Sequence, residues 1–256
     1  MSGLKSKVLE VRNICGTHVS LSDPASCEMI APLGYDFIWI DLEHSELSPR
    51  ELHNHMNAAK AFGTPTIVRL PMHDLTVTKK VLEMGPDGII FPMIHNAEEA
   101  EKLISYTLYP PYGNRGFGPR RAVRYGIDDA YEYTGKGQLE MCRFIQIECE
   151  NAINDLEKIV KNPYIDGYIF GPNDLSGSIN QLGNMYGDET QGLIKKAIKI
   201  LKENNKTIGV STGDTKFETL KFWHDLGVNM ISTGADYAYI LKNAKSTLEV
   251  VREAQR

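Results

Sequence analysis

Leu226-Gly227-Val228-Asn229-Met230 repeats a pattern met three times earlier in the chain, as Leu33-Gly34-Tyr35-Asp36-Phe37, Met84-Gly85-Pro86-Asp87-Gly88 and Tyr164-Ile165-Asp166-Gly167. Three of the four carry a glycine where a helix C-terminus needs a residue tolerant of the left-handed conformation, and all four run into an apolar stretch of strand length. The third lacks that glycine, so the repeat is approximate. It reads as a recurring helix-to-strand turn.

Working outward, further apolar runs lie between these turns, giving eight expected strands at about 14 to 19, 37 to 42, 65 to 70, 88 to 93, 143 to 148, 167 to 171, 206 to 211 and 230 to 234. They are dense in Ile, Val and Phe rather than cleanly alternating, as strands buried on both faces should be. Helix starts stand between them. Ser48-Pro49-Arg50-Glu51 offers an N-cap, a proline at N1 and a glutamate at N3; Asn96 to Glu99 and Thr215 to Glu218 repeat the cap and glutamate, and Asp23-Pro24 opens a helix ending before Gly34. Leu220, Trp223 and Leu226 form a stripe that should lie on the sheet. Eight strands alternating with helices in 256 residues is the pattern of an α/β chain folded as a (β/α)8 TIM barrel in a single domain, 1-256. A doubly wound open sheet is the alternative, but no G-x-G-x-x-G follows an early strand. One connection is long: after a helix it runs through Tyr109-Pro110-Pro111-Tyr112-Gly113-Asn114-Arg115-Gly116-Phe117-Gly118-Pro119, a loop at about 107 to 140 of the kind that serves as a lid or an interface.

Composition limits the function. Lys and Arg total 28 against 33 Asp and Glu, a formal charge of -5, with no basic block that reads as a nucleic-acid surface. No stretch approaches eighteen apolar residues and the N-terminus lacks a signal-peptide core, so no membrane association and a cytoplasmic location are expected. Cys15, Cys27, Cys142 and Cys149 match no zinc spacing and sit in apolar settings, which favours reduced, buried thiols.

In a barrel of this kind chemistry gathers at the C-terminal ends of strands. Reading those ends in order gives Asp41-Leu42-Glu43-His44, Arg69, Pro92, Gln146 with Glu148, and Asp174. Gln146 and Glu148 are two apart and so point to one side of their strand. Glu148 and Asp174 follow neighbouring strands, so their carboxylates converge, and converging carboxylates repel unless a proton or a cation separates them. A divalent ion with hard oxygen ligands, magnesium or manganese, suits two carboxylates and leaves room for water and substrate. No ligand-spaced histidine cluster favours zinc: His53 and His55 lie in a helix, His18, His73 and His95 are isolated, and all read as structural or surface residues. No lysine lies inside an expected strand, which disfavours imine chemistry. Metal-assisted enolate chemistry on a 2-oxo acid fits the inventory, with Arg69 a donor where negative charge develops and His44, oriented by Asp41, moving a proton. Arg115, between glycines and an asparagine, is expected to hold a carboxylate or another anion and to bind substrate.

These segments, together with Val68-Arg69-Leu70-Pro71, Phe91-Pro92-Met93, Gln146-Ile147-Glu148 and Gly171-Pro172-Asn173-Asp174-Leu175-Ser176, resemble the HpcH/HpaI aldolase family, in order along most of the chain. The resemblance implies a class II, metal-dependent aldolase that reversibly cleaves a 4-hydroxy-2-oxo acid to pyruvate and an aldehyde through a metal-bound pyruvate enolate. By the family's pattern Glu148 and Asp174 would bind Mg2+, Mn2+ or Co2+. Gln146, Arg69 and the amides of Asn173 and Asp174 would meet the pyruvyl group, His44 paired with Asp41 would take the C4 hydroxyl proton, and Glu43 would orient Arg69 or water. The family also resembles homo-oligomers, hexamers built as trimers of dimers, with the last helix exchanged between subunits. Departures from the pattern are Glu83 where an aspartate is common, Pro86 after the glycine, and Asn173 in place of a small residue. A citramalyl or malyl thioester lyase, or another pyruvate-forming lyase, is the alternative enzyme; an inactive assembly protein is the non-enzyme alternative.

Overall fold

The left-handed turn positions are occupied by the glycines of the repeat: Gly34, Gly85 and Gly227 have φ of 97°, 69° and 107°, a region costly for any residue with a Cβ. The acid or amide two residues after each glycine has a second task. The side chain of Asp36 accepts from the amide of Cys15 (2.8 Å), Asp87 from Thr66 (2.9 Å), Asp166 from Arg143 (2.7 Å) and Asn229 from Ile208 (2.8 Å). Each turn thus ties the start of one strand to the strand before it, including the third turn, where the glycine is missing.

The computed structural model describes residues 3–256. Its strands are β1 (Ile14–Val19), β2 (Phe37–Asp41), β3 (Thr66–Arg69), β4 (Gly88–Phe91), β5 (Cys142–Ile147), β6 (Gly167–Phe170), β7 (Thr207–Thr212) and β8 (Met230–Ala235). They pair in parallel in chain order and close, β8 against β1, into a (β/α)8 barrel. Buried side chains from Ile14, Phe37, Trp39, Ile67, Ile90, Phe144, Ile169 and Met230 form the inner core, joined by Leu4 and Val8 of the helix Gly3–Leu9. A Cβ on Gly16 would stand 2.2 Å from the Phe37 ring, so glycine there is required by close approach. The larger core lies between the barrel wall and the surrounding helices.

Ser48 and Glu51 form the reciprocal capping box, and Asn96 accepts from the amide of Glu99. Thr215 does not cap. The helix there begins at Phe217, and the carboxylate of Asp214 accepts from the Lys216 amide (3.0 Å) and the Thr219 hydroxyl (2.7 Å), a stronger acceptor one residue earlier. Trp223 is fully buried, while Leu220 and Leu226 are half-buried. The long connection carries structure of its own: the helices Ala97–Ser105 and Ala130–Gly135 and the 3-10 turns Arg121–Gly126 and Gly137–Leu139. Cys27, Cys142 and Cys149 are buried free thiols, but Cys15 is exposed. No helix among the described residues is long and apolar enough to cross a membrane.

Candidate active site

Asp41 and Arg69 are register partners at the ends of β2 and β3. Their side chains meet at two points: Arg69 Nε donates to Asp41 Oδ1 at 2.9 Å, and Nη2 donates to Oδ2. Glu43 Oε2 takes Arg69 Nη1 at 2.7 Å, Gln146 Oε1 lies 3.5 Å from the same nitrogen, and the guanidinium lies 5.4 Å from the Trp39 ring centroid. Burial opposes ionisation of Asp41, but Arg69 and the amides of Glu43 and His44 outweigh it and hold the carboxyl below its usual range. Burial instead dominates at Glu43 and raises it, against Arg69 and His44 and with the help of Asp41 and Asp174.

Here the geometry differs from the expected pairing of His44 with Asp41. Asp41 Oδ1 accepts from the backbone amides of Glu43 (2.9 Å) and His44 (3.3 Å), shaping the turn, and its side chain faces Arg69. The exposed His44 imidazole reaches toward Glu43 instead, with Nε2 3.9 Å from Oε2.

Glu148 follows β5 directly and is buried. Gln146, two residues before it on the same face, donates to Oε1 at 2.6 Å, and the Met93 amide donates to Oε2 at 2.9 Å. Gly171, just past the neighbouring strand β6, makes the space: a Cβ there would meet Oε1 at 2.2 Å. Burial pushes the Glu148 carboxyl up to about 7; the Met93 amide opposes this, and the negative charges of Asp174 and Glu43 add to it. Asn173 and Asp174 are exposed in the first turn of the helix Pro172–Ser178. The rim therefore holds Asp41 and Glu43 on the Arg69 guanidinium and brings the charge of Asp174 to bear on Glu43 and Glu148. A buried carboxylate crowded by like charges is a donor set that a divalent cation satisfies. Among the described residues no group of three His, Cys, Asp or Glu side chains is placed to hold a metal ion.

Toward β1, β7 and β8 the mouth opens into a chamber of about 240 Å³, bounded by Asp41, His44 and Arg69 on one side and by His18, Ser20 and Ser211 on the other. His18, an isolated histidine in the sequence, has Nε2 3.0 Å from Ser232 Oγ and 3.3 Å from Ser211 Oγ, and its ring packs 4.8 Å from Trp39. Only barrel closure brings it there, since its hydroxyl partners are on β7 and β8. Arg115 makes none of these rim contacts. It is buried between the rings of Tyr109 and Tyr133, with Nη2 3.0 Å from Glu83 Oε1. Cys149 packs, its thiol donating to the Ile94 carbonyl at 3.4 Å.

A parallel eight-stranded barrel with carboxylates and an arginine on its C-terminal rim has the architecture of a barrel enzyme. The chain belongs to the HpcH/HpaI aldolase/citrate lyase family, whose model matches residues 15–239. It is 30% identical over 248 residues to a hydroxypyruvate/pyruvate aldolase of Roseobacter denitrificans, covering 96% of this chain and 95% of the relative. It is 29% identical to a 4-hydroxy-2-oxo-heptane-1,7-dioate aldolase of Escherichia coli, covering 90% and 87%. A crystal structure of an HpcH/HpaI aldolase/citrate lyase family protein from Burkholderia cenocepacia superposes with a TM-score of 0.91 at 25% identity, covering 98% of this chain and all of the other.

Proposed function

We propose that the protein is a class II aldolase that reversibly cleaves a 4-hydroxy-2-oxo acid into pyruvate and an aldehyde, with Glu148 and Asp174 holding Mg2+, Mn2+ or Co2+. The observation that carries this reading is the buried Glu148 carboxylate, pushed up to about 7 first by burial and further by Asp174 and Glu43, in a rim with one guanidinium. When bound, the ion would supply Lewis-acid polarisation of the 2-oxo carbonyl.

The chain's own residues carry the remaining chemistry. Arg69, held by Asp41 and Glu43, presents N–H donors to the oxygen that gains charge as the C3–C4 bond breaks. His44, exposed at the mouth, takes the proton of the C4 hydroxyl as that carbon becomes the aldehyde. The electron pair of the broken bond passes into the pyruvate enolate, solvent supplies the proton at C3 that completes the methyl group, and His44 gives the hydroxyl proton up to solvent. Gln146 and the amides of Asn173 and Asp174 bind the pyruvyl group, and the chamber beside His18 receives the aldehyde end. Arg115 pairs with Glu83 and so pins the long connection to the helix Leu75–Glu83.

The helix Asp236–Ala254 buries only Asp236 and exposes Ile240, Leu241, Leu248, Val250 and Val251. We assign this apolar surface to a neighbouring copy in a homo-oligomer, the hexamer that the family resemblance implies. The thioester-lyase alternative gains no support from the long connection, where Arg121 donates to the Met84 carbonyl and Asn57 and Arg124 pairs with Asp128.

Solvent deuterium exchange into the methyl group of pyruvate tests the reading without any aldehyde. Exchange that requires added Mg2+ or Mn2+ is the expected result. A folded, metal-loaded protein that exchanges nothing would overturn it.

A further inference from the structure

His73 stands in the turn between β3 and the helix Leu75–Glu83 and has acceptors on both sides of its ring. Nδ1 lies 2.9 Å from Glu99 Oε1, and Nε2 lies 2.5 Å from the carbonyl oxygen of Pro92. Both partners are acceptors, so satisfying both takes the doubly protonated ring, whereas a neutral ring donates to only one of them. The Pro92 carbonyl belongs to the peptide whose N–H is that of Met93, and that N–H donates to Glu148 Oε2 at 2.9 Å. With the proton on Nε2, one peptide unit receives a hydrogen bond from His73 at one end and gives one to Glu148 at the other.

Two further features point the same way. Met93 has φ of 51°, a left-handed conformation that a residue with a Cβ adopts only when its surroundings impose it. Glu99 is itself fixed: its Oε2 accepts from the amide and Nδ1 of His95 at 2.8 and 3.0 Å, and its own amide is capped by Asn96 at 2.9 Å. A donor on a peptide carbonyl polarises the unit and strengthens the bond its N–H gives.

We propose that His73, held by Glu99, is a positioning residue for Glu148, acting through the Pro92–Met93 peptide. It touches neither substrate nor metal. It keeps one carboxylate oxygen on the Met93 amide while Gln146 holds the other at 2.6 Å, so that Glu148 is presented in one orientation. The inference rests on the reading of Glu148 as a metal ligand. Outer partners of metal ligands affect affinity by roughly ten- to a hundred-fold, and an effect relayed through a peptide belongs at the lower end.

The test is Mn2+ affinity of the full chain by titration calorimetry, where the fitted stoichiometry reports the folded fraction and the Kd does not depend on it. H73L should weaken binding about tenfold, and H73Q, whose amide keeps one donor, should recover part of the loss. The H73L/E99Q double variant should bind no more weakly than H73L alone, because Glu99 acts through the ring. Wild-type affinity in H73L, alongside lost binding in E148Q, would overturn the positioning role and leave the metal reading standing. Wild-type affinity in E148Q would overturn the metal reading itself. Losses from H73L and E99Q that add in full would remove Glu99 from the relay.

Discussion

Arg69 and Asp41, partners in register at the ends of adjacent strands, are locked together at two points, and this pair fixes where the guanidinium stands. Two-point pairing restricts the guanidinium more than charge alone would. Glu43 completes the grip at 2.7 Å. Arg69→Ala is expected to lower kcat about a hundredfold, the scale of losing a charge-stabilising donor, while binding Mn2+ no more weakly, since the rim becomes more negative. Asp41→Asn keeps the shape and weakens the pairing, so it should lower kcat with a smaller change in KM. Asp41→Ala removes a buried partner and should cost about 3 kcal/mol of stability in a denaturant melt. Equal loss of metal in the Arg69 and Glu148 variants would contradict the division of roles.

Gly171 offers a sharper probe of Glu148 than replacing the carboxylate. Its φ of -104° is open to any residue, yet an added Cβ would lie 2.2 Å from Oε1 and 2.8 Å from Cγ of Glu148. Gly171→Ala should therefore act by displacing that carboxylate. The expected result is metal affinity reduced tenfold or more, with an overpacking cost of about 1–3 kcal/mol in thermal unfolding. Unchanged affinity would show that Glu148 moves freely enough to make its position irrelevant.

The barrel was legible because strands buried on both faces are continuous apolar runs and because the turns before them need left-handed glycines at recognisable positions. The neighbourhood of Glu148 and Asp174 was legible for a related reason: in a barrel of consecutive parallel strands, the ends of β5 and β6 must adjoin. Side-chain direction was not. Whether Asp41 faces His44 or Arg69 depends on the turn after β2, where two amides claim one of its oxygens. His18 looked isolated because its partners, Ser211 and Ser232, lie near the other end of the chain and arrive only on closure. His73 was invisible for another reason: it works through a backbone peptide, and a backbone group carries no letter in the sequence. The failed cap at Thr215 was a competition between two adjacent acceptors, which spacing does not rank.

The last helix supplies a test of assembly. Ile240 and Leu241 are 55% and 65% exposed on a helix whose only buried side chain is Asp236. If they dock on a neighbouring copy, Ile240→Glu and Leu241→Glu together should reduce the mass seen by light scattering while leaving the far-ultraviolet circular dichroism of the barrel intact. The same mass in variant and parent would assign the assembly contact elsewhere.

His18 gives the protein an expected acid sensitivity. Burial drives its imidazole down from 6.5 to about 4; Asp41 opposes this, Arg69 adds to it, and the Ser232 backbone and Asp236 oppose it. Above pH 6.5 the ring is neutral in folded and unfolded chains alike, and the stability tied to it is fully present. Between 6.5 and about 4 the unfolded chain takes up a proton that the folded chain refuses, so stability falls as the pH falls, by up to about 3 kcal/mol for this group. Metal-free protein and a His18→Gln variant, melted in denaturant across that range, should therefore diverge: the parent loses stability more steeply toward acid, and the difference between the two curves flattens above pH 6.5. Parallel curves would mean that the imidazole is protonated in the fold as readily as in water, with Asp41 and Asp236 compensating for its burial.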